Sequence, residues 1–297
     1  MRPFAALFVK LAAATSVMLV MLPRVPAAQQ GRYRLLFDEA HFNYHTTRSY
    51  AALLDLVSPQ GFQADANHAP FTPDRLARYD VVIIANPLAE NRDTLLAQLG
   101  REFSHHPRSW APALRPAECD AVESWVAGGG GLLLVADHYP YGAAAQSLAE
   151  RFGLSMVNGV TIDTAHALPR SGGRWLVFTR ENGFLGEHPI TNGRDSSERV
   201  RRVVTFTGQS LGAPANATAL LRLSDQAFDI YPPRLDGSQP APSSAATRAQ
   251  AVALRFGRGR VVVLGEAFML ADFSPPDQEN ARFAQNALRW LIRALDP

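Results

Sequence analysis

The chain has 297 residues, of which 47% are hydrophobic and 19% charged, with 21 Gly and 21 Pro; this is the profile of a globular protein and excludes disordered, collagenous and coiled-coil chains. A single Cys excludes a disulfide framework, a multi-Cys zinc site and a Cys-ligated iron-sulfur cluster within one chain. The formal charge of +2 rests on the first 28 residues, which hold Arg2, Lys10 and Arg24 and no acid, so the remainder is near neutral and argues against a cationic nucleic-acid binder.

Residues 1 to 28 begin with the basic start MRPF, continue through an apolar stretch and end in LPRVPAA, the three-part layout of a secretory signal. The uninterrupted apolar part, Leu11 to Leu22, is short of the ~20 residues that cross a bilayer as a helix. Cleavage near Ala27 or Ala28 is therefore expected in preference to a retained anchor. The mature chain is expected in the periplasm or outside the cell, with no transmembrane segment after cleavage.

Beyond the signal, β and α signals alternate. RYRLLFD (Arg32 to Asp38) reads as a strand, SYAALLDLV (Ser49 to Val57) as a helix, and Phe62 to Ala66 as a second strand. Thr72-Pro73-Asp74 is an N-cap with a helix-starting Pro, and DVVIIA (Asp80 to Ala85) is a continuous apolar strand. A polar loop through His105 and His106 leads to a helix from Pro116 to Val126, which the run Gly128 to Gly131 ends before the apolar strand LLLVA (Leu132 to Ala136). Gly142 to Phe152 is the next helix.

The second half is richer in β signals: Trp175 to Arg180, Val200 to Thr207, Ala219 to Leu223, and a hairpin of Ala251 to Phe256 with Arg260 to Gly265. Residues 232 to 247, rich in Pro, Ser and Ala, read as an exposed loop, and Glu279 to Leu295 carries one apolar helical face. Strands apolar on both faces and separated by helices imply an α/β fold with a doubly wound, mostly parallel sheet and a β-rich C-terminal elaboration, in one domain over residues 29 to 297.

In such a sheet ligands bind outside the carboxyl ends of the strands. The first strand runs into Asp38, Glu39, His41, Asn43 and His45; DVVIIA runs into Asn86; LLLVA runs into Asp137, His138, Tyr139 and Tyr141; VVVLG runs into Glu266. Two apolar strands thus emit Asp and His together, although short polar side chains also hold the backbone of β-to-α turns.

Two functions fit this rim. In the first, Asp38, Glu39, His41, Asn43, Asn86, Asp137 and His138 hydrogen-bond a small polar ligand such as a glycan or a peptide end, with Tyr139 and Tyr141 as flat walls, or the domain acts on an envelope component. In the second, some of Asp38, His41, Asp137, His138 and Glu266 act on water as a His-carboxylate pair or through a bound divalent metal, giving a hydrolase. No H-E-x-x-H helix supports a zinc protease, no G-x-S-x-G elbow supplies a Ser nucleophile, and no G-x-G-x-x-G or Walker loop is present. No cofactor is expected beyond that metal.

The stretches FDEAHFNYHT, VVIIANP, WVAGGGGLLLVADHYPYGAAAQSLAERFG and GRVVVLGEAFM, before a last N-x-x-x-WL helix, resemble a family of secreted bacterial proteins of unknown function. Their domain is similar to class I glutamine amidotransferases, with a flavodoxin-like sheet. The resemblance covers residues 32 to 295 and implies fold more than reaction. True amidotransferases place a nucleophilic Cys on the strand-to-helix elbow, whereas the matching turn here holds Ala136-Asp137-His138. Cys119 shares helical spacing with Val122 and Val126, which places it on the apolar face of the preceding helix as a core residue.

Overall fold

The computed structural model describes residues 33–273 and 278–296. The expected signal segment, and its cleavage or retention, lie outside the described residues. Up to residue 149 the elements alternate: β1 (Tyr33–Asp38), α1 (Ala51–Val57), β2 (Phe62–Asn67), α2 (Pro73–Leu76), β3 (Val81–Ala85), α3 (Arg92–Leu99), α4 (Pro116–Ala127), β4 (Gly131–Val135) and α5 (Tyr141–Ala149). Then come β5 (Ser155–Met156), β6 (Val160–Ile162), β7 (Trp175–Thr179), α6 (Pro189–Asn192), β8 (Arg202–Phe206), β9 (Leu211–Gly212), β10 (Thr218–Arg222), β11 (Phe228–Ile230) and β12 (Ser243–Ser244). The chain closes with β13 (Ala249–Phe256), β14 (Gly259–Leu264), α7 (Phe268–Ala271) and α8 (Asn280–Leu291).

The main sheet has nine strands in the order β2-β1-β3-β4-β14-β13-β9-β5, with β10 paired to β13. The pairs from β2 through β14 are parallel, and β13 turns back antiparallel on β14. Two smaller antiparallel sheets, β12-β11-β6 and β7-β8, make up the β-rich elaboration. The order 2-1-3-4 followed by a fifth parallel strand is flavodoxin-like, and its direction reverses between β1 and β3.

Alternation along the parallel strands divides the core. Leu35, Phe37, Val81, Ile83, Leu133, Val135, Val262 and Leu264 pack on one face with Leu53 of α1 and Phe283, Ala287 and Leu291 of α8. Leu36, Val82, Ile84, Leu132, Leu134, Val261 and Val263 pack on the other with Val122 and Val126 of α4 and Ala145 and Leu148 of α5. Each such fully buried side chain contributes about 1.5–3 kcal/mol, which is why the strands read as unbroken apolar runs. Cys119 lies in the second cluster, 1% exposed, and burial pushes its thiol up from its ordinary value.

Two local differences from the sequence reading have physical causes. The segment before His105 contains α3, started by the Asn91 side chain, whose oxygen accepts the backbone N–H groups of Asp93 and Thr94 at 2.9 and 3.1 Å. It buries only Leu95, so it carries no apolar stripe for periodicity to find. The 232–247 stretch is mostly exposed as expected, yet its end pairs as β12 with β11 and buries Ala245. Among the described residues no helix is long and apolar enough to cross a membrane.

Candidate functional site

Register brings the carboxyl ends of four parallel strands level: Ala85 of β3 and Leu264 of β14 both flank Val135 of β4, and Phe37 of β1 flanks Ile83 of β3. Two polar groups form along this rim. They differ in how completely their atoms are used.

The first is centred on His41, which is 7% exposed. Its Nδ1 lies 2.8 Å from Asp38 Oδ2 and its Nε2 lies 2.9 Å from Glu118 Oε1, on α4. Asp38 Oδ1 accepts from Asn67 Nδ2 at 3.1 Å and from the Ala40 N–H at 3.3 Å. Glu118 also accepts from the N–H groups of Phe71 and Arg115, at 3.0 and 3.2 Å. The imidazole ring stacks on Phe71. Burial lowers the His41 pKa, but the hydrogen bond and charge of Asp38 and the charge of Glu118 outweigh it, so the net shift is upward. A ring with a carboxylate at each nitrogen donates from both, which is the charged form. Glu118, in spite of burial, is held below its ordinary value by the Arg115 backbone N–H and by His41.

The second group opens onto a cleft of about 400 Å³ lined by Tyr44, His45, Asn86, Arg92, Asp137, His138, Tyr141, Trp175, Phe206, Thr207 and Phe268. Asn86 Oδ1 accepts the Asp137 N–H at 2.8 Å, while the Asn86 carbonyl accepts the Tyr44 N–H at 2.9 Å. This ties together the loops after β1, β3 and β4. Gln209 Nε2 donates to the carbonyls of Ala136 and Asp137 at 2.8 and 2.9 Å, and its Oε1 accepts the Asn158 N–H at 2.9 Å.

The turn after β8 passes so close to the end of β14 that a Cβ at Gly208 would sit 2.5 Å from the Gly265 carbonyl oxygen, at φ +79°; only glycine fits. Asn86 and Thr207, both lining the cleft, have left-handed φ values of 50° and 55°. Such conformations cost free energy in non-glycine residues and concentrate at functional sites.

Asp137 is half-buried and takes its hydrogen bonds from backbone: the His138 N–H reaches Oδ1 at 2.6 Å. Burial raises its pKa, against the pull of His138 and of the His138 and Ala267 N–H groups. Glu266, 1% exposed, accepts the Phe268 and Met269 N–H groups at 2.6 and 2.8 Å. Burial and the Asp137 charge push its carboxyl well above the ordinary value. Burial likewise lowers His45 to about 4, so that ring is neutral near pH 7. Aromatic rings wall the cleft: Trp175 meets Phe206 and Phe268 at 4.8 and 6.4 Å, and Tyr44 meets Tyr141 at 6.0 Å.

The candidates from the sequence therefore separate. Asp137, His138, Asn86 and Tyr141 line the cleft, and Glu266 lies beneath it, sensed by Asp137 through charge. Asp38 is fully buried, and His41 borders a separate depression with Glu118 and Arg115. Glu39 is used within its own loop, accepting the N–H and hydroxyl of Thr47 at 2.8 and 2.7 Å, and Asn43 Oδ1 accepts the His41 N–H at 3.1 Å. Tyr139 turns its carbonyl to His138 Nδ1 at 2.8 Å.

The sequence reading did not single out Tyr44, Arg92, Trp175, Phe206, Thr207 and Phe268 as cleft residues. Trp175 and Phe206 come from the β7-β8 sheet, whose position no periodicity encodes. Among the described residues no three His, Cys, Asp or Glu side chains converge to hold a metal ion.

No protein-family model matches the chain, and no curated protein matches it. Among solved structures, the N-terminal domain of mmIFT52 overlays it with a TM-score of 0.60 at 15% identity, over 88% of this chain and 97% of that one. A ThuA-like protein from Bacteroides uniformis overlays with a TM-score of 0.46 at 16% identity, over 89% of this chain and 93% of that one. A protein described as a GMP synthase component, from Thermoplasma acidophilum, does so at 0.43 and 11%, over 88% and 94%. The mmIFT52 likeness is one of fold. The strand order itself puts the chain in the flavodoxin-like α/β class, which includes glutamine amidotransferase domains.

Proposed function

We propose that the chain binds a small polar ligand, a carbohydrate, in the cleft at the carboxyl ends of β3, β4 and β14. One observation carries the reading: Tyr44, Tyr141, Trp175, Phe206 and Phe268 surround a polar floor of Asn86, Asp137 and His138. A sugar presents apolar C–H faces and a rim of hydroxyls, which matches flat aromatic walls and a few fixed polar groups. Calorimetric titration with a panel of oligosaccharides tests it. Binding that is lost in both Asp137→Asn and Trp175→Ala supports it, and wild-type affinity in both variants refutes it.

A hydrolase at the same cleft is the second reading, favoured by one feature. A carboxyl whose pKa is raised beside a second carboxyl and a His is the kind of group that serves as a general acid. Hydrolysis of chromogenic glycosides by the wild type, abolished in Asp137→Asn with binding retained, would convert the binding site into an active site. Glutamine amidotransfer is not proposed, because the elbow residues are Ala136, Asp137 and His138 and Cys119 lies in the core. We further propose that the protein works outside the cytoplasm, on the strength of the basic, apolar and small-residue layout of residues 1–28. A mature N-terminus at Gln29 or Ala28 in mass spectra of the protein from its host supports this; an intact Met1 overturns cleavage.

A further inference from the structure

Arg92, the first residue of α3, is the arginine lining the cleft. Its guanidinium lies 5.1 Å from the Tyr44 ring centroid and 5.7 Å from that of Phe103. It also touches the Tyr141 hydroxyl, whose acidity it increases against the effect of burial. Its Nε is buried with no hydrogen-bond partner, and no carboxylate of the described residues lies within ion-pair distance of it. The arginines around it in sequence are used otherwise: Arg108 pairs with Glu90 at 2.5 Å and Arg115 with Glu118 at 3.4 Å.

The acids nearest the cleft do not balance this cation. Asp137 and Glu266 turn to backbone N–H groups, and burial favours their neutral forms. A half-buried, permanently charged guanidinium held between aromatic faces keeps a planar fork of donors, the geometry that meets a carboxylate with two parallel hydrogen bonds.

We propose that Arg92 selects a ligand bearing a carboxylate, so that the cleft prefers an acidic sugar such as a uronic acid over its neutral counterpart. This rests on the carbohydrate reading of the cleft and specifies it further. The same chemistry is presented by the free carboxyl end of a peptide, so both sources enter the test.

Titrations are run with a galacturonic acid oligomer, the neutral galactose oligomer of equal length, and a short peptide as free acid and as C-terminal amide. The wild type is expected to bind the acidic oligomer about tenfold more tightly than the neutral one. Arg92→Gln brings that ratio to about one, and Arg92→Lys, which keeps the charge but not the fork, retains part of it. Thermal melts confirm that both variants are folded.

Equal affinities for acidic and neutral oligomers in the wild type overturn the inference and leave the carbohydrate reading standing. An Arg92-dependent preference for the free-acid peptide, with no sugar bound, keeps the role of Arg92 and overturns the carbohydrate reading. A preference that persists undiminished in Arg92→Gln assigns carboxylate recognition to another group and overturns the inference.

Discussion

The knot around His41 and the floor around Asp137 stand on the same edge of the same sheet, each just past an apolar strand, and each joins a carboxylate to a histidine. In the knot, Asp38, His41 and Glu118 satisfy one another and three backbone N–H groups, and the ring is nearly sealed from solvent. On the floor, Asp137 has backbone partners on the inner side and a cleft on the other. Saturation marks a brace, and a carboxyl whose ordinary ionisation is disfavoured beside open space marks a site. The residue types are the same in both.

The largest effect that breaks this contrast falls on the knot. His41→Ala leaves two buried carboxylates without their shared partner and is expected to cost about 3–5 kcal/mol in denaturant unfolding, with any residual ligand affinity of the folded fraction unaltered. Because the folded pKa of His41 is raised, its contribution is complete below the unfolded value of about 6.5 and is lost as pH rises through the folded value. The cost should therefore be largest near pH 6 and shrink toward pH 9. A cost that grows with pH would mean the ring is neutral in the knot.

Asp137→Asn reverses the pattern: stability within about 1 kcal/mol of wild type and at least about a tenfold loss of ligand affinity. An acid whose folded pKa is raised holds more protons folded than unfolded, so stability falls as pH rises from the unfolded value through the folded one. Removing the Asp137 charge also relieves Glu266. The variant should thus gain on the wild type between pH 5 and pH 8, as read by unfolding at the two pH values.

Two smaller effects sharpen the contrast. Phe268, 38% exposed at the cleft mouth, should change stability by less than about 1 kcal/mol on substitution by Ala while weakening ligand binding several-fold in calorimetry. Cys119→Ser, away from both groups, should cost about 1 kcal/mol by placing a hydroxyl in the apolar cluster, and leave binding alone.

The parallel half of the sheet was legible because β1, β3, β4 and β14 bury both faces, so each is an apolar run whose end delivers a named polar residue to the rim. What followed each strand located Asn86, Asp137, His138 and Tyr141 correctly at a common edge. The distinction between knot and floor was not legible, since Glu118 reaches His41 from α4, 77 residues away, and no local pattern announces it. The walls were missed for a similar reason. Trp175 and Phe206 pair across β7 and β8, and only the docking of that small sheet carries them to the cleft. Arg92 lay within a helix whose apolar residues gather on no face, so its element as well as its role escaped periodicity.

The central claim is that the cleft over Asp137, and not the pocket beside His41, is where this protein meets its ligand. An NMR titration of the isotope-labelled protein with neutral and acidic oligosaccharides tests it directly. Shifts confined to Tyr44, Asn86, the 137–141 turn, Trp175 and Phe268 are predicted. Shifts centred on Ala40, Phe71 and Glu118, or saturable binding that leaves the 137–141 turn unmoved, would contradict it.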